Sequence, residues 1–116
     1  MSECIFCKIA TGAIPSEKIM DNNTFFVIKD IRPKAPVHLL LIPHQHIPSL
    51  LEVDPSHGAL LGNMLLGLKS LAKQYELDGF RTIINSGQSS GQEVFHLHFH
   101  LLANNTNTSQ QRLPGF

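Results

Sequence analysis

The stretch Val94-Phe95-His96-Leu97-His98-Phe99-His100-Leu101-Leu102 decides how the chain can fold. Histidine occupies every second position from 96 to 100, and apolar residues fill the positions between. Successive side chains of a β-strand point to opposite faces of the sheet, so this alternation predicts a strand. The three imidazoles would share one face of the strand. Leu97, Phe99 and Leu101 would share the other face and enter a core.

Length and composition predict one domain spanning residues 1–116, with a polar C-terminal tail from 104 to 116. Nine basic residues balance nine acidic ones, and zero net charge argues against nucleic-acid or membrane-surface binding. The N-terminus shows no secretory signal, and the longest aliphatic run, residues 39–42, is too short for a bilayer. We therefore expect a cytoplasmic protein whose two cysteines stay reduced.

The remaining pattern predicts strands, one long helix and then further strands. In chain order the elements are a helical turn before Gly12, an edge strand at 18–20, strands at 24–29 and 37–42, a long helix entered through Asp54 and Pro55 and closed at Gly79, and a third core strand at 80–85. This order predicts an α+β fold in which the helix packs on an antiparallel sheet.

The spacing of the three histidines limits what they can do together. Alternate residues of a strand lie about 6.6–6.8 Å apart, so three rings on one straight strand cannot bind a single metal ion. A neutral imidazole is a nucleophile near neutral pH, and a neighbouring ring can act as acid or base. His98 lies between the other two, and His38 adds a fourth ring whose proximity would suppress protonation. The alternative is a set of core histidines that only make hydrogen bonds.

Two cysteines form a Cys-x-x-Cys motif at Cys4 and Cys7. Such a pair is half of a typical zinc site. The alternative is that both are small apolar side chains packed beneath the sheet.

Residues His96 to Leu102 match the motif His-φ-His-φ-His-φ-φ, in which φ is apolar, of the histidine triad (HIT) family of nucleotidyl hydrolases and transferases. Residues 4–9, 30–38 and 85–100 resemble the Hint branch of that family in order and spacing. The resemblance covers residues 4–102. It implies a five-stranded antiparallel sheet with one long and one short helix, continued across a homodimer.

The resemblance also implies an activity, the hydrolysis of purine nucleoside 5′-phosphoramidates such as adenosine 5′-monophosphoramidate. His98 would attack the α-phosphorus and form a nucleotidyl-histidine intermediate that water releases. His100 would contact the phosphate and support proton delivery to the leaving amine, and His38 would orient His98. No metal is required for this chemistry.

The substrate contacts implied by the resemblance lie on two loops. Asp30 would bind the ribose hydroxyls and Ile31 the base, Asn85 would hold the phosphate or leaving-group side, and Gly91, Gln92, Glu93 and Val94 would supply backbone amides. Glu93 stands where animal Hint proteins carry a serine. The tail after Ala103 departs from the Gly-Gly-Arg stretch usual in Hint proteins, and in the family it reaches toward the partner's site.

Metal-containing relatives imply a structural zinc site in this chain. Its ligands would be Cys4, Cys7, His46 and His96. Two other functions stay open at this point. One is hydrolysis of dinucleoside polyphosphates, as in the Fhit branch, and the other is non-catalytic binding of a purine nucleotide by a scaffold protein.

Overall fold

The computed structural model describes residues 3–104 and 112–115, and its centre is a five-stranded antiparallel sheet. The strands are β1 (Met20–Asp21), β2 (Phe25–Lys29), β3 (Val37–Pro43), β4 (Arg81–Ile83) and β5 (Phe99–Ala103). Their order across the sheet is β1-β2-β3-β5-β4. The fold class, α+β with one short and one long helix, is therefore confirmed.

The two α-helices of the described residues differ in how they begin, because only α1 has a side-chain cap. Helix α1 (Ile5–Thr11) starts where the Cys4 sulfur accepts the Cys7 N–H, and it ends at Gly12, whose φ of 86° is left-handed. Helix α2 (Gly58–Gln74) starts later than predicted, because Asp54 caps a 3₁₀ turn at Pro55–His57 instead. No helix in the described residues is long and apolar enough to cross a membrane.

Three predicted boundaries are corrected by the structure. Helix α2 ends before Tyr75, and the left-handed residue beyond it is Glu76, with φ 54°, rather than Gly79. The third core strand shrinks to β4, a three-residue edge strand whose Ile83 is 39% exposed. The histidine strand β5 begins only at Phe99. A short edge strand lacks the second neighbour that would bury its outward residues.

The sheet separates two cores, one beneath each helix. Helix α2 covers one face through Met64, Leu68 and Leu71, which pack with Phe25, Val27, Leu39, Leu41, Leu97, Phe99 and Leu101. Gly67 permits this approach, since a Cβ there would lie 2.4 Å from the Phe25 ring. Helix α1 covers the other face through Phe6 and Ile9, which pack with Phe26, Ile28, Leu40 and Ile42. Leu97, Phe99 and Leu101 therefore enter a core together, as the alternation predicts.

Candidate active site

The histidines lie on the α1 side of the sheet, at the junction of β3 and β5. In the antiparallel register His100 is opposite Leu40 and Ile83, and His38 is opposite Leu102. Directly paired residues of antiparallel strands project from the same face. His98 lies just before β5, and its ring is 5.2 Å from that of His100 between centroids.

One hydrogen bond fixes which nitrogen of His98 is available. The Nδ1 atom lies 2.7 Å from the carbonyl oxygen of His96. A carbonyl only accepts, so Nδ1 carries the proton and the neutral ring keeps its lone pair on Nε2. The Phe6 and His98 rings pack in a T-shaped contact with 5.1 Å between centroids. The geometry thus presents one unprotonated ring nitrogen, as a nucleophile requires.

The rings of His38 and His100 contact each other directly. His38 Nε2 and His100 Nδ1 are 2.9 Å apart, within hydrogen-bond distance. Asp30 Oδ2 lies 3.4 Å from His38 Nε2 and adds a carboxylate to the pair. The hydrogen-bonding partner of His38 is therefore His100, whereas the ring of His98 is held by the backbone at position 96.

Burial keeps the three rings neutral near pH 7. It lowers the pKa of His38 and of His98, in spite of the opposing charge of Asp30 in both cases. For His100, burial together with the neighbouring rings of His98 and His38 lowers the pKa to about 4. Mutual repulsion of imidazoles, predicted for His98, thus acts mainly on His100, while His98 owes its low pKa to burial.

The two residues expected to hold the nucleoside follow β2 directly. One oxygen of Asp30 accepts the Arg32 N–H at 2.8 Å, which fixes the carboxylate at the start of the loop. Ile31 is 92% exposed, the most open of the large apolar side chains in the described residues. An apolar side chain this exposed is available to cover the face of a flat ligand.

The loop from Asn85 to Val94 joins β4 to the histidine stretch. Gly87 and Gly91 take left-handed φ values of 95° and 101°, on either side of a 3₁₀ turn at Gln88–Ser90. Asn85 is half-buried two residues after β4, Glu93 is exposed, and Val94 packs on the core beneath α1. Glycine is the residue that adopts such a backbone without strain, so this sequence can bring consecutive N–H groups into one tight loop.

Gln92 has a role that the sequence did not reveal, because its side chain is 4% exposed and fully hydrogen-bonded. Its Oε1 accepts the Gly87 N–H at 2.8 Å, and its Nε2 donates to the carbonyl oxygens of Pro48 and Val94 at 2.7 and 3.1 Å. The side chain therefore ties the loop to the segment after β3. Only its backbone N–H remains to be considered for the substrate, and that group faces the Gly87 carbonyl at 3.4 Å.

Four further side chains form a compact group that we call the cysteine cluster: Cys4, Cys7, His46 and His96. His96 Nδ1 lies 3.3 and 3.6 Å from the sulfurs of Cys4 and Cys7, and 3.1 Å from His46 Nδ1. Cys7 Sγ is 3.3 Å from His46 Nδ1. Tetrahedral zinc with Zn–S of about 2.3 Å and Zn–N of about 2.0 Å places its ligand atoms about 3.3–3.8 Å apart. The spacing of the four atoms fits such an ion.

The donor chemistry of the cysteine cluster also fits zinc. His96 Nε2 donates to the Pro43 carbonyl at 2.8 Å, so its Nδ1 is unprotonated and faces the sulfurs. This is the usual second hydrogen bond of a metal-binding histidine. A smaller group, Asp30, His38 and His100, also has its ligand atoms within 4.8 Å of one another. There the two imidazoles are at hydrogen-bond distance, so a hydrogen bond joins the two ring nitrogens that would have to bind the ion.

Comparison with known proteins establishes the family. A protein-family model described as "Scavenger mRNA decapping enzyme C-term binding" matches residues 3–113 of this chain. Protein HitA of Neisseria gonorrhoeae is 50% identical over 103 residues, which are 88% of this chain and 96% of that protein. The purine nucleoside phosphoramidase of Escherichia coli K12 is 39% identical over 102 residues, 86% of each chain.

Solved structures agree with these relatives. A histidine triad protein from Clostridium difficile superposes with a TM-score of 0.91 at 36% identity, covering 100% of this chain and 97% of that one. A zinc-bound histidine triad family protein from Mycobacterium smegmatis gives a TM-score of 0.77 at 30% identity, covering 98% and 85%. The fold and the paired imidazoles define a histidine triad architecture. This chain belongs to the histidine triad family.

Proposed function

We propose that this protein is a hydrolase of purine nucleoside 5′-phosphoramidates that works through a covalent nucleotidyl intermediate on His98. The observation that carries the proposal is the Nδ1–H of His98 held by the His96 carbonyl, which leaves Nε2 unprotonated on a neutral ring. The phosphoramidase of Escherichia coli, which is 39% identical, supports the choice of substrate class.

The proposed reaction has two steps. His98 Nε2 forms a bond to the α-phosphorus while the bond from phosphorus to the leaving nitrogen breaks, and the departing amine takes up one proton from solvent. Water then attacks the same phosphorus, the bond from phosphorus to His98 breaks, and one proton returns to solvent, so the cycle is balanced. His100 is neutral at pH 7 and would donate a hydrogen bond to the phosphate oxygens, which stabilises the charge gathering there.

The substrate would span the two loops beside the histidines. Asp30 would accept hydrogen bonds from the ribose hydroxyls and Ile31 would cover the base. Asn85 and the backbone amides of Glu93 and Val94 would surround the phosphate, because the N–H groups of Gly91 and Gln92 already donate to the carbonyls of Gln88 and Gly87. The hydrogen bonds of the buried Gln92 side chain support this assignment, because they hold the loop in one conformation before the substrate binds.

The decisive experiment is to capture the intermediate. The purified protein is mixed with adenosine 5′-phosphoramidate, quenched within milliseconds to seconds and analysed by intact mass and peptide mapping. An adenylyl group on His98 supports the proposal, while turnover without any such adduct, even in rapid-quench samples, contradicts it. Nucleotide binding without turnover would favour the scaffold alternative. Faster turnover of diadenosine polyphosphates would favour the other hydrolase class.

The proposal extends to a structural zinc ion in the cysteine cluster. The spacing of the four ligand atoms and the unprotonated Nδ1 of His96 support it. When bound, the ion would connect α1 to the segment after β3, which carries His46, and to the segment before β5, which carries His96. It would take no part in phosphoryl transfer.

The proposal also includes a homodimer in the cytoplasm. Strand β4 is an edge of the sheet, and Leu65 and Leu66 of α2 are 54% and 65% exposed. An open strand edge and an exposed apolar helix face are features that a second copy would cover. Light scattering should give twice the 12.9 kDa of one chain. Leu66→Lys should shift the protein toward the monomer, whereas Leu51→Lys, exposed outside α2, should not.

A further inference from the structure

The loop between β2 and β3 reaches back onto the ring of His38. The backbone N–H of Lys34 donates to His38 Nδ1 at 3.0 Å. Two prolines, Pro33 and Pro36, flank this position and restrict the backbone. The loop is anchored at its start as well, because the Asp30 N–H donates to the His38 carbonyl at 3.0 Å. The position of the Lys34 N–H is thus restricted by the two prolines and by the backbone hydrogen bond between Asp30 and His38.

This single contact determines the proton position on two rings. Since Nδ1 of His38 accepts a hydrogen bond, the proton of the neutral ring sits on Nε2. That N–H faces His100 Nδ1 at 2.9 Å, so His100 must accept there and carry its own proton on Nε2. The opposite tautomer of His38 would place two N–H donors face to face at Lys34, and the His100 proton would then move to Nδ1.

We propose that the Lys34 backbone N–H is a positioning group that sets the tautomers of His38 and His100, so that His100 presents an N–H to the substrate phosphate. The inference deepens the proposed function and rests on it. Its structural part, the tautomer of each ring, stands on two distances, from Lys34 N to His38 Nδ1 and from His38 Nε2 to His100 Nδ1. The side-chain charge of Lys34 plays no part in this role, because the donor belongs to the peptide.

The direct test uses the unaltered protein. Long-range ¹H–¹⁵N correlation spectra at pH 7 distinguish protonated from unprotonated ring nitrogens, and His38→Asn and His100→Asn variants assign the signals. The expected result is an unprotonated Nδ1 and a protonated Nε2 on both rings. A protonated Nδ1 on His38 would overturn the proposal. This measurement needs no substrate, so it is independent of whether the protein is a phosphoramidase.

A pair of variants separates the peptide donor from the side chain. Lys34→Pro removes the N–H, and Lys34→Ala keeps it while removing the charge. The described non-glycine residues with positive φ do not include Lys34, which is compatible with proline there. We expect the proline variant to show mixed tautomers and a kcat about tenfold or more below that of the alanine variant, with a smaller change in KM.

Two outcomes of this pair contradict the proposal. One is a proline variant that keeps both tautomers and the kcat of the alanine variant. The other is an equal loss in both variants, which would assign the effect to the charge. Circular dichroism and thermal unfolding verify that both variants fold. If the proline variant does not fold, the spectra of the unaltered protein still decide the question.

Discussion

His96 and His98 are two residues apart, each make a T-shaped contact with the same Phe6 ring and nevertheless have opposite unprotonated nitrogens. His96 donates from Nε2 to the Pro43 carbonyl and turns Nδ1 toward two sulfurs. His98 donates from Nδ1 to the His96 carbonyl and keeps Nε2 free beside His100. A carbonyl on one nitrogen of a neutral imidazole decides which other nitrogen can bind a metal or attack a phosphorus. Residue type alone does not separate the two roles.

The largest expected effect comes from removing the nucleophile. His98→Ala should lower the turnover of adenosine 5′-phosphoramidate by at least about 10³-fold, because no other ring replaces the free Nε2. Stability and zinc content should stay close to those of the unaltered protein. His57→Ala, outside both histidine groups, is the control and should keep its activity. Near-normal turnover in the His98 variant would contradict the role of His98 as the nucleophile.

Substitutions in the cysteine cluster should lower zinc content and stability much more than turnover. Protein purified without chelator should contain about one equivalent of zinc by elemental analysis. The double variant Cys4→Ser and Cys7→Ser should contain less than about a tenth and lose several kcal/mol of unfolding free energy. Its turnover per folded molecule should fall far less than that of His98→Ala. Unaltered protein with less than a tenth of an equivalent of zinc would contradict the structural zinc site.

The buried amide of Gln92 supports both groups by joining the loop at 87–94 to the segment after β3. Gln92→Ala leaves the Gly87 N–H and two carbonyl oxygens without their partner. We expect a loss of about 2–4 kcal/mol in urea unfolding, together with a raised KM. The matched variant Gln45→Ala removes an exposed amide and should cost less than about 0.5 kcal/mol. Equal losses in the two variants would mean that burial of this amide does not matter.

The smallest effect concerns pH. The pKa of His100 falls to about 4 in the folded protein, from 6.5 in the unfolded chain. Between these values the unfolded chain binds a proton that the folded chain does not, so stability drops as the pH falls from about 6.5 to about 4 and levels off below. His100→Asn should make that slope shallower by at most one proton, about 1.4 kcal/mol per pH unit.

Urea midpoints measured from pH 4 to 8 test this expectation. Above pH 7 the ring is neutral in both states, so the curves of the variant and the unaltered protein should run parallel there. Parallel curves between pH 4 and 6.5 as well would show that folding does not lower the pKa of His100.

Much of the fold could be predicted from local pattern. The alternation at 94–102 placed Leu97, Phe99 and Leu101 in one core although the ladder begins only at Phe99, since successive side chains of an extended chain point to opposite faces whether or not the chain is paired. The predicted third core strand became a short edge because strand length and neighbours depend on the whole sheet. The start of α2 moved to Gly58 because a 3₁₀ turn uses the same Asp-Pro capping signal as a helix.

The sequence by itself determined the histidine motif and the α+β order of elements. Which nitrogen of each ring is free was decided only by the tertiary structure. His96 is held by a carbonyl 53 residues away at Pro43, and His38 meets His100 across 62 residues. Hydrogen bonds between distant segments leave no periodic trace in the sequence. The three histidines of the opening strand are chemically equal until the fold assigns each one its carbonyl, sulfur or imidazole partner.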